Sequence, residues 1–117
     1  MKTVAFDENL LEPIENYKLD EEALELLREL EVKCSQLMIK KDRDYGGSWQ
    51  KRGIMSVNEN SARKWDRLQN LFKNGFSIEV KDETVLDTLM DLRNYVSLYI
   101  YFMLTKNPEL LKQFKKI

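Results

Sequence analysis

Residues 85–104 read VLDTLMDLRNYVSLYIYFML, and this stretch decides the fold. Val85, Leu89, Leu92, Val96, Ile100 and Met103 recur at three- and four-residue intervals, the spacing of one face of an α-helix. At about 100° per residue, Asp87, Asp91, Leu98 and Phe102 fall on roughly the opposite face, so the C-terminal half of this helix is apolar all round. Such a helix has to be buried on both sides. Its most apolar run, Tyr95 to Leu104, is about half of the roughly 20 residues that a membrane crossing needs. It reads as the middle of a buried helix that starts at Asp82 or Glu83. With so few other helices in the chain, its second burial surface is expected from another subunit, most commonly across a two-fold axis. The expectation is therefore a homodimer or larger homo-oligomer.

Working outward, Phe76 to Lys81 alternates apolar and polar residues and is expected to be a short connection, briefly extended. Before it, Ser56-Val57-Asn58-Glu59 matches a capping box, in which the Ser and Glu side chains each satisfy a backbone amide. A helix is predicted from about Val57 to Asn74, with Ala62, Trp65, Leu68, Leu71 and Phe72 as its buried stripe and Gly75 as its C-terminal cap. An earlier helix begins near Asp20, a good N-cap followed by Glu21 and Glu22, whose charges suit the helix dipole. Its stripe of Ala23, Leu26, Leu27, Leu30, Cys34, Leu37 and Met38 lasts to about Lys41, and Gly46-Gly47 stops any continuation. Downstream, Asn107-Pro108 opens a short last helix, Glu109 to about Lys116, which Leu110, Leu111 and Phe114 can dock. The predicted fold is all-α: a helical bundle of three main helices plus a short C-terminal helix, in a single domain over residues 1–117 with an N-terminal arm at 1–19.

Composition agrees with this and excludes much chemistry. The 117 residues are 43% hydrophobic and 33% charged, with only 4 Gly and 2 Pro, which suits a globular helical chain. Histidine is absent and cysteine occurs once, at Cys34, so there can be no Ser-His-Asp or Cys-His nucleophile, no common zinc site and no intramolecular disulfide. Catalysis, if any, has to use carboxylates, amines, phenols, hydroxyls or an oxygen-ligated metal. The first twenty residues lack both a signal-peptide core and an Arg-rich amphipathic face, so a cytoplasmic location is expected, without membrane association.

The net charge of −1 conceals an uneven distribution. Acids dominate residues 1–31, whereas Lys33, Lys40, Lys41, Arg43, Lys51, Arg52, Arg63, Lys64, Arg67 and Lys73 make the middle of the chain basic. That segment either holds phosphates or neutralises the acidic arms. Within it, residues 40–53, KKDRDYGGSWQKRG, combine cations, two glycines, Tyr45 and Trp49 in an expected loop. Gly46-Gly47 would let the backbone approach a ligand, Tyr45 or Trp49 would stack on a base, and Lys41, Arg43, Lys51 or Arg52 would meet phosphate oxygens. Alternatively the aromatics plug the end of the bundle and the cations lie in solvent. Arg63, Lys64 and Arg67 are expected on the side of their helix away from the core. Glu83, Asp87 and Asp91 are spaced by four and repel one another unless compensated. Either Lys64 and Arg67 neutralise them across a helix interface, or they hold a hard divalent ion such as magnesium. Asn94 and Tyr95 extend the same polar patch.

Taken in order, Lys41-x-x-Asp44-Tyr45-Gly46-x-Ser48-Trp49, Lys64-x-x-Arg67-Leu68 and Glu83-x3-Asp87-Thr88-Leu89-x-Asp91-Leu92-x-Asn94-Tyr95 resemble the nucleotide-modification-associated domain 1 family. This is a group of small, mainly helical proteins common in bacteriophages and formerly listed as a domain of unknown function. The resemblance covers about residues 33–104 and implies a nucleotide-related ligand in a setting of phage nucleotide metabolism, with no particular reaction. A fainter likeness is to the all-α nucleoside triphosphate pyrophosphatases, through Glu21-Glu22-x-x-Glu25 and the Glu83–Asp87 pair. The interval between those motifs is long for that family, and the second pair is one residue too widely spaced.

Two active readings follow. In the first, the chain binds, and by sequestering could withhold from a host defence pathway, a phosphorylated nucleotide or nucleotide-derived signal. Lys41, Arg52, Lys64 and Arg67 would meet phosphates, Tyr45 or Trp49 would stack on the base, and Asp44, Asp87, Asp91 or Asn94 would accept from ribose or base edges. Gly46, Ser48 and Tyr95 complete the candidate site. In the second, Glu83, Asp87 and Asp91 hold magnesium, the one cofactor an enzyme reading calls for, and the chain is a nucleoside triphosphate pyrophosphohydrolase. A third reading is a structural or interaction protein with no small-molecule ligand. Sequence-specific binding of duplex DNA is not expected, because no reading motif is present.

Overall fold

Asp20 starts the first helix as its sequence requires. Its carboxylate accepts from the Ala23 amide at 3.0 Å, and Glu21 and Glu22 occupy the first turn. The computed structural model describes residues 12–74 and 85–117, and in them the chain forms four helices and no strand. These are α1 (Glu21–Tyr45), α2 (Ser48–Lys73), α3 (Val85–Lys106) and α4 (Pro108–Lys115). The expected Gly75 cap, the connection at 76–81, the start at Asp82 or Glu83 and residues 1–11 of the N-terminal arm lie outside the described residues.

The helices are longer than the sequence reading allowed, at the expense of the loop at 40–53. Helix α1 runs on past Lys41 to Tyr45 and closes on Gly46, whose φ of 59° is left-handed and whose amide returns to the Asp42 carbonyl. Gly47, also left-handed at φ 70°, turns the chain straight into α2. Two adjacent glycines thus make the whole connection, because only Gly takes successive positive φ values without steric cost. The capping box at Ser56–Glu59 does not start a helix; Ser56 lies inside α2, where its hydroxyl accepts from Asn60 Nδ2 at 3.5 Å. What interrupts α2 is Gly53, whose φ of 73° and ψ of −163° kink it. Asn107 caps α4 as expected, accepting from the Glu109 and Leu110 amides at 3.1 and 3.2 Å, with Pro108 in the first turn.

Helix α3 is the hub on which α1, α2 and α4 pack. The buried side chains are Cys34 on α1, Val57, Leu68 and Leu71 on α2, and Thr88, Asn94 and Leu98 on α3. This corrects the expected facing of α2. On α2, Leu68 and Leu71 point inward, but Ala62, Trp65 and Phe72 are exposed, and Lys64 and Arg67 turn toward α3 rather than away. On α3, Leu89, Val96, Ile100 and Met103 are exposed, and the polar side of the helix faces in.

The cause is a register of polar partners between antiparallel α2 and α3. Arg67 Nε donates to Thr88 Oγ1 at 3.1 Å, Lys64 meets Asp91 at 3.2 Å, and Tyr99 Oη donates to Asn58 Oδ1 at 3.2 Å. Each pair lies further back along α2 and further on along α3. Buried polar groups have to be satisfied, so these partners settle which side of α3 turns inward. On α4, Leu110 is half-buried while Leu111 and Phe114 remain exposed, so the docking expected of all three rests on Leu110. Among the described residues no helix is long and apolar enough to cross a membrane.

Candidate functional site

The site is built around one carboxylate. Asp91, on the inward face of α3 with its side chain 11% exposed, accepts from Lys41 Nζ of α1 at 2.5 Å and from Lys64 Nζ of α2 at 3.2 Å. Three helices are joined at that point. One turn on, Asn94 Nδ2 donates to the Cys34 carbonyl at 3.0 Å and ties α3 to the middle of α1. Outside this pair of contacts, Glu31 and Arg93 form a looser bridge between the same helices at 3.8 Å.

A second clasp forms across the glycine pair. Trp49, in the first turn of α2, donates its indole N–H to the Asp42 carboxylate at 2.5 Å, joining the last turn of α1 to the start of α2. A Cβ on Gly47 would stand 3.3 Å from Gln50 Oε1 at a positive φ, so this tight turn depends on glycine for space as well as for conformation. The Trp49 ring meets Tyr101 and Phe102 edge-on, with centroids 6.0 and 5.5 Å away, an arrangement favoured by the ring quadrupoles.

Between the two clasps lies a cavity of about 110 Å³. Its walls are Met38, Trp49, Tyr95 and Leu98, and its polar edge is formed by Lys41, Asp42, Ser48, Ser56, Asn60, Asp91 and Asn94. An engineered apolar cavity of roughly 150 Å³ holds one benzene ring, whereas whole drug-sized ligands need about 300–1,000 Å³. At about 110 Å³ the space is smaller than either, so it takes a phosphoryl-sized group or part of a ring, with the rest of any larger ligand outside.

Of the residues singled out in the sequence, Lys41, Ser48, Trp49, Asp91, Asn94 and Tyr95 come together around this cavity. Lys64 joins them through Asp91, and Arg67 stands one turn further along α2 on Thr88. Asp44, Gly46 and Arg52 are exposed and do not line it; Tyr45 is the last residue of α1. Of the proposed magnesium ligands, Glu83 lies outside the described residues, Asp87 is exposed, and Asp91 is occupied by two ammonium groups. Among the described residues no three acidic or thiol side chains converge as a metal site would require. The compensation of Asp91 across a helix interface by Lys64 is present, with Lys41 as an additional partner.

Asp42, Ser56, Asn60, Met38 and Leu98 were not picked out as site residues. A signal for part of this set exists: Ser56, Asn60 and Lys64 are spaced by four, a polar stripe on α2 that a solvated helix would not need to align with Arg67. No protein-family model, curated protein or solved structure matches the chain.

Proposed function

We propose that this protein binds a phosphorylated nucleotide or a nucleotide-derived small molecule, with part of the base ring in the cavity and the phosphates at its mouth. The observation that carries the reading is the convergence of aromatic walls, amide and hydroxyl groups and Lys41 on a cavity of about 110 Å³, with Lys64 behind it on Asp91. Trp49 and Tyr95 flank the base, while Asn60, Ser56 and Asp91 offer a donor and acceptor edge. Lys41 is the phosphate contact, since its side chain is 41% exposed against 23% for Lys64 and can swing from Asp91 toward the opening. The resemblance to the phage family points to the same ligand class, and sequestration of a signalling nucleotide would need no catalytic group. The absence of histidine suits such a binder.

The test is to incubate the protein with magnesium and a panel of nucleoside phosphates and cyclic or ADP-ribose-type nucleotides, remove the protein, denature it and analyse both fractions. One nucleotide depleted from solution and recovered intact supports the proposal. Return of a triphosphate as monophosphate and pyrophosphate replaces it by the hydrolase reading, and depletion of none of them refutes it. Lys41→Met is expected to weaken binding of the captured nucleotide about tenfold, equivalent to roughly 1.4 kcal/mol, measured by titration calorimetry.

A further inference from the structure

The outward side of α3 carries a second feature, independent of the cavity. Val85, Leu89, Leu92, Val96, Ile100 and Met103 fall within one narrow arc of the helix and form an unbroken apolar stripe. It is about 27 Å long at 1.5 Å per residue. Leu89, Val96, Ile100 and Met103 are 46, 44, 50 and 43% exposed. Helices α1 and α2 reach α3 from other directions, through Asn94, Asp91 and Thr88, and leave most of this arc open; Met103, at its C-terminal end, borders a groove shared with Ile54 of α2 and Leu110 of α4. Stripes of this size on a soluble protein mark interaction surfaces.

The geometry points to a second copy of this chain as the occupant, with the two α3 helices antiparallel about a two-fold axis. The stripe nearly matches its own reverse. Turned end for end about a point near residue 94, Val85 meets Met103, Leu89 meets Ile100 and Leu92 meets Val96 of the other copy. That self-complementarity is what an isologous interface demands. The intervals of three and four also match the seam along which paired helices interlock side chains.

The decisive experiment is sedimentation velocity on the full chain over a range of concentrations. The expected mass is twice 14.0 kDa, falling to the monomer mass in V96E/I100E, with the helical circular dichroism retained. A monomeric wild type overturns the proposal, as does a charged variant that stays dimeric. If V96E/I100E fails to fold, the double variant L92C/V96C decides: Cys34 is buried and cannot compete, so mild oxidation should yield a reductant-sensitive covalent dimer. A folded L92C/V96C that remains uncrosslinked places the interface elsewhere and overturns the antiparallel pairing.

Discussion

Asp91→Asn removes the charge that joins α1 and α2 to α3 while preserving the side-chain volume. Two unit charges at about 4 Å interact by roughly 4 kcal/mol at an effective dielectric constant near 20, before desolvation is counted. The Lys41 pair must be discounted, since that side chain is 41% exposed and exposed ion pairs contribute about 0–1 kcal/mol. Lys64 and Asp91 are 23% and 11% exposed, so their pair lies nearer the regime in which stranding one partner costs about 3–5 kcal/mol. The net loss for Asp91→Asn is therefore about 2–3 kcal/mol. In urea titrations followed by circular dichroism, Lys64→Met should cost less than Asp91→Asn, because Asp91 keeps Lys41, and Lys41→Met should cost least. The double variant K41M/K64M should approach the cost of Asp91→Asn, since it leaves a nearly buried carboxylate alone. The triple variant K41M/K64M/D91L should recover most of the loss, because apolar replacement of a whole buried charge cluster is often neutral or stabilising. A loss below about 0.5 kcal/mol for Asp91→Asn, or a triple variant no better than the double, would refute the assignment of this cluster as the junction of the three helices.

Two further substitutions probe backbone and hydrogen bonding separately. A Cβ at Gly53 would meet nothing within 4 Å, so Gly53→Ala tests conformation alone; forcing a non-glycine residue into that region should destabilise by about 1–3 kcal/mol, and a stabilised variant would show that the kink in α2 is not required. Asn94→Ala deletes the 3.0 Å bond to the Cys34 carbonyl and should cost about 1–2 kcal/mol of unfolding free energy, read from the same urea titrations.

Much of the secondary structure was legible because its signals are local. Asp20, Gly46 and Asn107 terminate helices through bonds within a few residues, and the three- and four-residue recurrence of apolar side chains identifies α1, α2 and α3. The glycine-rich segment misled because Ser, Trp and cations between two glycine sites resemble a loop; two left-handed residues sufficed for the turn, and Ser48 onward was free to be helical. The capping box failed for a related reason. Its Ser and Glu are acceptable inside a helix as well, so the motif marks a start only when the preceding backbone is not helical.

Half of the candidate site was also readable, since Lys41, Ser48, Trp49, Asp91, Asn94 and Tyr95 stand out as polar or aromatic residues in unusual company. Asp42 does not, because its role comes from Trp49, which faces it, and Ser56 and Asn60 show only as a polar stripe spaced by four with Lys64.

By itself, then, the sequence determined the all-α fold class of the described residues, the caps at Asp20 and Asn107, and the exclusion of histidine nucleophiles, common zinc sites and an intramolecular disulfide. Which face of α3 turns inward was decided only by tertiary structure. Periodicity specifies an apolar stripe but not its partner, and the opposite side carries Thr88, Asp91 and Asn94, each of which can be buried only if matched. Their matches are Arg67, Lys64 with Lys41, and the Cys34 carbonyl, on other helices and distant in sequence. Once those groups were satisfied together, the polar side faced the core and the apolar stripe was left outward.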